Sequence, residues 1–176
     1  MLFLNIDKVI QFGGGLNLEK TISVLALLVV FFCSSIASAR LNDSEIALGG
    51  LAPGMDIAYA ISIYGQPDKV SQVIANRKNY SWGKGFDVET FHTLSGSEQI
   101  YMINTTANNG ISTPRGIHAG SKVDEMLKMY GEAGASVVDT RKDAASSYYY
   151  YGTHCSLGFE VRNGIVTCIY VSDYSE

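Results

Sequence analysis

The strongest constraint on the fold of this chain is a stretch that occurs twice. The first copy spans residues 50–65 and the second spans residues 116–131, and a shift of about 66 positions superimposes them. The coinciding residues are Gly50 with Gly116, Gly54 with Gly120, Tyr64 with Tyr130, and Gly65 with Gly131. We interpret this as a tandem duplication, so both copies should fold in the same way.

Each copy has the pattern of one short amphipathic helix. The apolar residues follow the spacing i, i+3, i+4, i+7, which places them on one stripe. They are Ile57, Ala60, Ile61 and Tyr64 in the first copy, and Val123, Met126, Leu127 and Tyr130 in the second. Asp56 and Ser121 are suited to cap the helix N-termini, and a glycine follows each last apolar residue. We predict one helix over 57–64 and another over about 122–130.

Strand-like runs follow each helix and are separated by turns rich in Gly, Ser and Asn. They lie at 69–74, 79–83, 86–92 and 99–105 after the first helix, and at 135–138, 147–151, 155–162 and 165–172 after the second. Asn163-Gly164 predicts a hairpin between the last two runs, because this dipeptide supplies the positive φ angles of a type I′ turn.

The order of these elements predicts an α+β fold made of two repeats. Residues 40–110 form the first repeat and residues 111–176 the second, each a helix followed by antiparallel strands. A helix so short does not cover a sheet alone, so the economical arrangement is one sheet with both helices on one face. The other face is then left to solvent or to a partner.

The N-terminal region has the layout of a secretory signal. Lys20 precedes an apolar run at 22–32, and small residues follow up to Ala37-Ser38-Ala39. The run is shorter than the ~20 residues that cross a bilayer. We predict that residues 1–39 are an N-terminal extension and signal peptide, cleaved near Ala39. The protein should then be secreted, periplasmic or in the cell envelope, with no stable membrane anchor after cleavage.

Composition narrows the class of partner. About 137 residues remain after the predicted cleavage site, enough for one domain with a proper core. The chain has 13 Lys and Arg against 17 Asp and Glu, a net charge of -4. Without basic clusters, this balance argues against nucleic acid as a ligand. The predicted partner is another protein.

Two cysteines remain in the predicted mature chain, Cys155 and Cys168. In an oxidising compartment a disulfide is the default. A two-residue turn at Asn163-Gly164, however, separates them by roughly 13 Å along neighbouring strands, too far for a bridge. A bulge or a fold-back near residue 153 would close the gap, so a disulfide and two buried thiols both stay open.

We find no catalytic set in the sequence. Cys155 adjoins His154, but adjacent residues of a strand point to opposite faces, which is unsuitable for proton transfer. The histidines His92, His118 and His154 lack metal-ligand spacing. We therefore predict a protein that is not an enzyme and has no metal and no cofactor. A small exported enzyme that uses Cys155 and His154 is the competing hypothesis.

The most unusual local composition is the run of four tyrosines at 148–151. Alternate members of a strand face opposite sides, so two can pack in the core while two stand on the uncovered face. Trp82 lies in the equivalent segment of the first repeat. We predict Trp82, Tyr149 and Tyr151 as binding residues, because such side chains dominate protein interfaces. Simple cross-strand stabilisation and a sugar-stacking surface are the alternatives.

The repeat resembles that of a known superfamily. Pro-Gly-Met at 53–55, the short amphipathic helix, Tyr-Gly-Gln-Pro at 64–67 and the following strands are similar to the repeat of the β-lactamase inhibitor protein and its relatives. The small lipoprotein of the outer-membrane β-barrel assembly machine shares that helix-then-sheet unit. The resemblance covers residues 49–171. It implies protein binding or envelope assembly without catalysis, through the exposed sheet face or its loops.

Overall fold

An eight-stranded antiparallel sheet and two short helices form the part of the chain that the computed structural model describes, residues 40–138 and 145–174. The fold is therefore α+β, as predicted. The predicted signal peptide and its cleavage position near Ala39 lie outside the described residues.

The helices and strands lie close to the predicted positions. In chain order they are a 3₁₀ turn at Asp43–Glu45, α1 (Ile57–Tyr64), β1 (Lys69–Ile74), β2 (Arg77–Trp82), β3 (Phe86–His92), β4 (Glu98–Thr105), α2 (Val123–Tyr130), β5 (Ala135–Val138), β6 (Ala145–Tyr151), β7 (Cys155–Arg162) and β8 (Ile165–Asp173). The predicted hairpin is present, since Asn163 and Gly164 have φ angles of 51° and 75° between β7 and β8.

The strands are ordered β1-β2-β3-β4-β8-β7-β6-β5, so β4 and β8 meet at the centre of the sheet. Their register pairs Ile103 with Val171 and Thr105 with Ile169. The shift that relates the two copies carries Ile103 to Ile169 and Thr105 to Val171. Replacing each residue by its equivalent in the other copy therefore gives the same two cross-strand pairs.

Matching backbone hydrogen bonds attach the segment before each helix to the central strands. The amide of Gly54 donates to the carbonyl of Ile100 at 2.8 Å, and the amide of Gly120 donates to the carbonyl of Val166 at 2.8 Å. The six motif glycines share positive φ angles, which a side chain would strain. They are Gly50, Gly54, Gly65, Gly116, Gly120 and Gly131.

Both helices cover the same face of the sheet. The ring of Tyr64 in α1 lies 4.9 Å from that of Phe86, and the ring of Tyr130 in α2 lies 5.4 Å from that of Phe159. Phe86 and Phe159 belong to one cross-strand row, which runs from Trp82 through Phe86, Thr105, Ile169 and Phe159 to Tyr148. Residues of one row share a face. The predicted apolar stripes of both helices pack into this core.

The predicted cap of the second helix is wrong, whereas that of the first is confirmed. The carboxylate of Asp56 accepts a hydrogen bond of 2.8 Å from the amide of Ala58. Ser121, in contrast, is buried, and its hydroxyl oxygen accepts from the amide of His118 at 3.1 Å. The N-cap of α2 is Lys122. The helix begins one residue later because Ser121 holds the preceding turn instead.

The lead-in before α1 is fixed to the second half of the sheet. The amide of Leu41 donates to the carbonyl of Tyr151 at 3.0 Å, and the amide of Thr153 donates to the carboxylate of Asp43 at 2.7 Å. Glu45 forms an ion pair with Arg115, with 2.6 Å between Oε1 and Nη2. The first residues of the described chain therefore stabilise its last strands.

Cys155 and Cys168 are free thiols on opposite faces of the sheet. A bulge at Glu160 makes Cys168 the cross-strand partner of Glu160 rather than of Phe159, so Cys168 points away from the helices. Cys155 packs against the core and pairs with Asp173. Asp173 lies five positions after Cys168 in β8, which corresponds to about 17 Å at the rise of a strand. The disulfide alternative is therefore wrong for this structure.

A candidate binding face on the uncovered side of the sheet

The side of the sheet away from the helices, here called the open face, carries two central rows of side chains. One row runs Ser81, Asp87, Asn104, Tyr170, Gly158 and Tyr149, and the next runs Asn79, Glu89, Met102, Ser172, Ser156 and Tyr151. The described structure places no helix over these rows. They are therefore the part of the sheet that a partner can reach.

The predicted binding residue Trp82 does not lie on the open face, so its placement there is wrong. Its side chain is 8% exposed and packs beside Tyr64, Tyr80 and Phe86 under α1. The indole N–H donates to the carbonyl of Gly65 at 2.9 Å. The sequence Asn79-Tyr80-Ser81-Trp82 already indicates that Trp82 faces the core, because its two aromatic residues alternate with polar ones.

Tyr149 and Tyr151 do lie on the open face. Tyr151 is 40% exposed, and its ring packs edge-on against Tyr174 at 6.1 Å between centroids. Tyr149 is partly exposed and packs edge-on against Tyr170 at 6.0 Å. The other two tyrosines of the run, Tyr148 and Tyr150, pack into the core. The run thus divides between the two faces as strand alternation requires.

Gly158 determines where the ring of Tyr170 lies. A Cβ atom built on Gly158 would stand 2.2 Å from Cζ of Tyr170, so the tyrosine ring rests directly on the glycine. Burial, together with the interaction with Tyr149, raises the pKa of Tyr170 well above its ordinary value. The ring therefore leans across β7 and away from β4.

A pocket opens beside Tyr170 at the centre of the open face. Its volume is about 330 Å³, and it is lined by Met102, Asn104, Thr106, Cys168 and Tyr170. We call it the central pocket. Thr106 directly follows β4, and the other four lining residues belong to β4 and β8, so the position of the pocket follows from the meeting of these two strands.

The residues of the central pocket are not among the binding residues predicted from the sequence. The shift of 66 positions between the two copies relates some of these residues to one another, because it matches Met102 with Cys168 and Asn104 with Tyr170. These pairs occupy equivalent positions on the last strand of each copy. Nothing in the sequence states that these two strands are neighbours, however, and the pocket exists only because they are.

The first half of the open face adds charged groups around the aromatic ones. The guanidinium of Arg77 lies 4.1 Å from the ring centroid of Tyr101 and 3.4 Å from a carboxylate oxygen of Glu89. The carboxylate of Asp87 accepts a hydrogen bond of 3.1 Å from the side-chain amide of Asn79. Most of these side chains are therefore polar and interact with one another, whereas the open face around Tyr149 is aromatic.

A separate polar cluster lies on the helix side of the first half. One oxygen of Glu98 accepts hydrogen bonds from the hydroxyls of Tyr80 at 2.7 Å and Thr90 at 2.6 Å, and the other lies 3.1 Å from the Lys78 ammonium. Burial raises the pKa of Glu98, but these hydrogen bonds outweigh burial and hold the pKa below its ordinary value. Burial raises the pKa of Tyr80, and the hydrogen bond and charge of Glu98 raise it further.

The geometry around Cys155 does not favour nucleophilic chemistry. Burial, with smaller contributions from the charges of Asp173 and Asp43, raises the pKa of the Cys155 thiol to about 11. His154 is exposed, whereas Cys155 packs against the core. Among residues 40–138 and 145–174, no group of three or more His, Cys, Asp or Glu side chains is arranged to hold a metal ion.

No helix among the described residues is long and apolar enough to span a membrane. No protein-family model matches the chain, and no curated protein matches it either.

Solved structures do resemble this one. A cysteine-rich secretory protein (SAV1118) from Staphylococcus aureus matches with a TM-score of 0.51 and 13% identity, over 77% of this chain and 51% of that one. A DUF4309 family protein (YjgB) from Bacillus subtilis matches with a TM-score of 0.47 and 14% identity, over 70% and 82%. An extracellular protein containing an SCP domain from Bacillus anthracis matches with a TM-score of 0.45 and 8% identity, over 80% and 48%. This chain thus spans about half the length of the Staphylococcus aureus and Bacillus anthracis proteins. The similarity to SAV1118 concerns the fold alone.

Proposed function

We propose that this chain is an exported, non-catalytic module that binds another protein through the open face. The observation that carries the proposal is the central pocket, about 330 Å³ in volume, at the middle of the open face. It is large enough to receive one branched or aromatic side chain of a partner. Residues that fill pockets near the centre of a protein interface tend to dominate its binding energy.

The tyrosines beside the pocket supply contact area. Tyr170 forms one wall, and Tyr149 and Tyr151 extend the aromatic surface outward along β6. Tyrosine contributes a large rigid surface with a polar tip at a low cost in side-chain entropy. A partner that inserts an apolar side chain into the pocket therefore contacts these tyrosines around it.

Three features of the sequence support the wider proposal. The layout of residues 1–39 is typical of a secretory signal. The repeat at 50–65 and 116–131 supports a tandem duplication, and the self-matching pairing of β4 with β8 agrees with it. The resemblance to the β-lactamase inhibitor protein repeat favours protein binding or envelope assembly over catalysis. The raised pKa of Cys155 argues against the competing enzyme hypothesis.

A carbohydrate is the second candidate ligand. The observation that favours it is the ring of Tyr170 lying flat on Gly158, because a flat aromatic ring at a surface can stack against a sugar. Among the residues that line the pocket, Asn104 and Thr106 offer polar atoms for sugar hydroxyls.

The test compares partners captured from the envelope and secreted fractions by the wild type and by an Asn104→Phe variant. The phenylalanine should fill the central pocket without entering the core, because Asn104 is on the open face. We expect the captured protein to be lost from the Asn104→Phe sample and weakened by Tyr149→Ser/Tyr151→Ser. The affinity of the identified partner is then measured with purified proteins.

Lys128→Phe is the matched control, since it adds the same bulk on the exposed side of α2, on the opposite side of the sheet. Equal capture by the wild type and both open-face variants would show that the open face is not the binding site. Retention of an oligosaccharide rather than a protein, with the same loss in Asn104→Phe, would favour the second candidate.

A further inference from the structure

Tyr151 and Tyr174 form an aromatic pair on the open face, and both are attached to the β6–β7 turn, residues 152–154. Their ring centroids are 6.1 Å apart. The hydroxyl of Tyr174 donates to the carbonyl of Gly152 at 2.7 Å, and its amide donates to the carbonyl of His154 at 3.0 Å. Tyr151 directly precedes the turn. The position of the β6–β7 turn therefore determines where both rings lie.

The segment before α1 contacts the β6–β7 turn. A carboxylate oxygen of Asp43 accepts a hydrogen bond of 2.7 Å from the amide of Thr153. The amide of Leu41 donates to the carbonyl of Tyr151 at 3.0 Å. Residues near the start of the described chain thus fix the backbone on which the tyrosine pair depends.

Gly152 shows how closely this segment packs against the turn. Its φ angle is not positive, so the backbone conformation alone does not require glycine. A Cβ atom built on Gly152 would stand 2.1 Å from the Asp43 carboxylate oxygen and 2.6 Å from Cδ1 of Ile46, a core residue. Glycine is therefore needed for the contact with the segment, and that contact lies on the side of the core, opposite the open face.

The first half of the sheet has the same type of attachment without the tyrosine. The shift of 66 positions matches Asp43 with Asn109 and Tyr151 with Gly85. The side-chain amide of Asn109 donates to the carbonyl of Lys84 at 3.1 Å, in the turn between β2 and β3. The attachment is therefore common to both halves, but in the second half the residue next to the attached turn is an exposed tyrosine.

We propose that Asp43 is a positioning residue of the open-face binding site, which acts through the β6–β7 turn on Tyr151 and Tyr174. The proposal rests on the proposed function, in which Tyr151 belongs to the contact surface. Side chains that are held in place before binding lose less conformational entropy when the partner arrives. Contacts behind a binding residue therefore contribute to affinity without touching the partner.

The experiment compares Asp43→Ala with the wild type by NMR of protein that carries ¹³C-labelled tyrosine. The ring signals of Tyr151 and Tyr174 are assigned from Tyr151→Phe and Tyr174→Phe. We expect both signals to shift in Asp43→Ala and to stay in place in Asp43→Asn, whose side-chain oxygen still accepts the hydrogen bond from Thr153. The ring signal of Tyr80, in the core of the first half, should stay unchanged in both variants.

Glu45→Ala is the matched control, because it weakens the same segment at the ion pair with Arg115, which does not involve the turn. It should leave the Tyr151 signal in place. An equal shift of that signal in Glu45→Ala would show that Asp43 only supports the segment in general, and would overturn the proposal. Unchanged tyrosine signals in Asp43→Ala would overturn it as well.

The affinity for the protein captured by the wild type gives the second readout. We expect Asp43→Ala to weaken that affinity by about fivefold, the contribution of one ordinary hydrogen bond, and Asp43→Asn to restore it. Unchanged affinity in Asp43→Ala overturns this proposal alone. Equal capture by the wild type and by the open-face variants overturns the proposed function too, so the two failures are distinguishable.

Discussion

The indole N–H of Trp82 donates a 2.9 Å hydrogen bond to the carbonyl of Gly65, the residue that ends α1. The second half contains a counterpart, since the hydroxyl of Tyr150 donates to the carbonyl of Gly131 at 2.8 Å. In both halves an aromatic side chain of the sheet thus satisfies a backbone carbonyl that the helix leaves without an internal partner. The two donors differ in chemistry, yet they hold equivalent helix ends.

Replacing Trp82 with phenylalanine should lower the free energy of unfolding by about 1–3 kcal/mol, because it removes both this hydrogen bond and part of a buried ring. Tyr150→Phe, which removes only the hydrogen bond, should cost about 1 kcal/mol. Urea denaturation measures both. A Trp82→Phe cost below about 0.5 kcal/mol, the value for an ordinary surface position, would contradict the placement of Trp82 in the core.

The strand bounds and the two helix stripes could be predicted because they depend on local alternation and spacing. The four tyrosines at 148–151 show the limit of such predictions. Because the residues are identical, their polarity does not alternate, and which of them face the core depends on the register of the strand. The register of β7 and β8 depends in turn on the bulge at Glu160, which places Cys168 on the open face. The central pocket depends on β4 meeting β8, a long-range pairing that no local pattern specifies.

Gly158→Ala should displace the ring of Tyr170, because the new methyl group would stand 2.2 Å from Cζ. Forcing a group into occupied space usually costs about 1–3 kcal/mol. The double variant Gly158→Ala/Tyr170→Ala removes the clash, so its unfolding free energy should exceed the value expected if the two single effects simply added. Denaturation of the four proteins of this cycle gives the coupling energy. Additive effects would mean that the ring does not rest on Gly158.

Tyr130→Ala should lower the free energy of unfolding by about 3–5 kcal/mol, as large-to-small changes in a core do. The ring of Tyr130 packs at 5.3 Å from that of Tyr150 and lies under the Arg115 guanidinium at 4.8 Å. Tyr64→Ala should cost less, because Tyr64 is only partly buried. Equal losses in chemical denaturation would show that partial exposure of Tyr64 does not reduce its contribution.

Stability should fall on acidification through Glu98. The pKa of Glu98 is lower in the folded protein than in the unfolded chain, so its contribution is present above the unfolded pKa and is lost as pH falls through the folded pKa. The free energy of unfolding should therefore decrease between about pH 6 and pH 3, and Glu98→Gln should flatten this decrease. Glu132→Gln, at an exposed loop position, is the control. If the unfolding free energy of Glu98→Gln fell with pH as it does in the wild type, Glu98 would not be the cause of the loss of stability.

Both thiols should be free and slow to react in the folded protein. Burial raises the pKa of Cys155 and of Cys168 to about 11 in each case, and the carboxylate of Glu160 adds to the effect at Cys168. The thiolate is the reactive form, so little of it exists near neutral pH. In the chain without residues 1–39, which contain Cys33, titration with a thiol reagent should therefore give two groups only after denaturation, and mass measurement without reductant should show no bridge. A bridged protein would mean that the strand pairing around Cys155 differs from the present one, because Cys155 pairs with Asp173, five positions away from Cys168. A Cys155 that reacts rapidly in the folded state would instead revive the enzyme hypothesis, because a low-pKa thiol beside His154 is what nucleophilic catalysis requires.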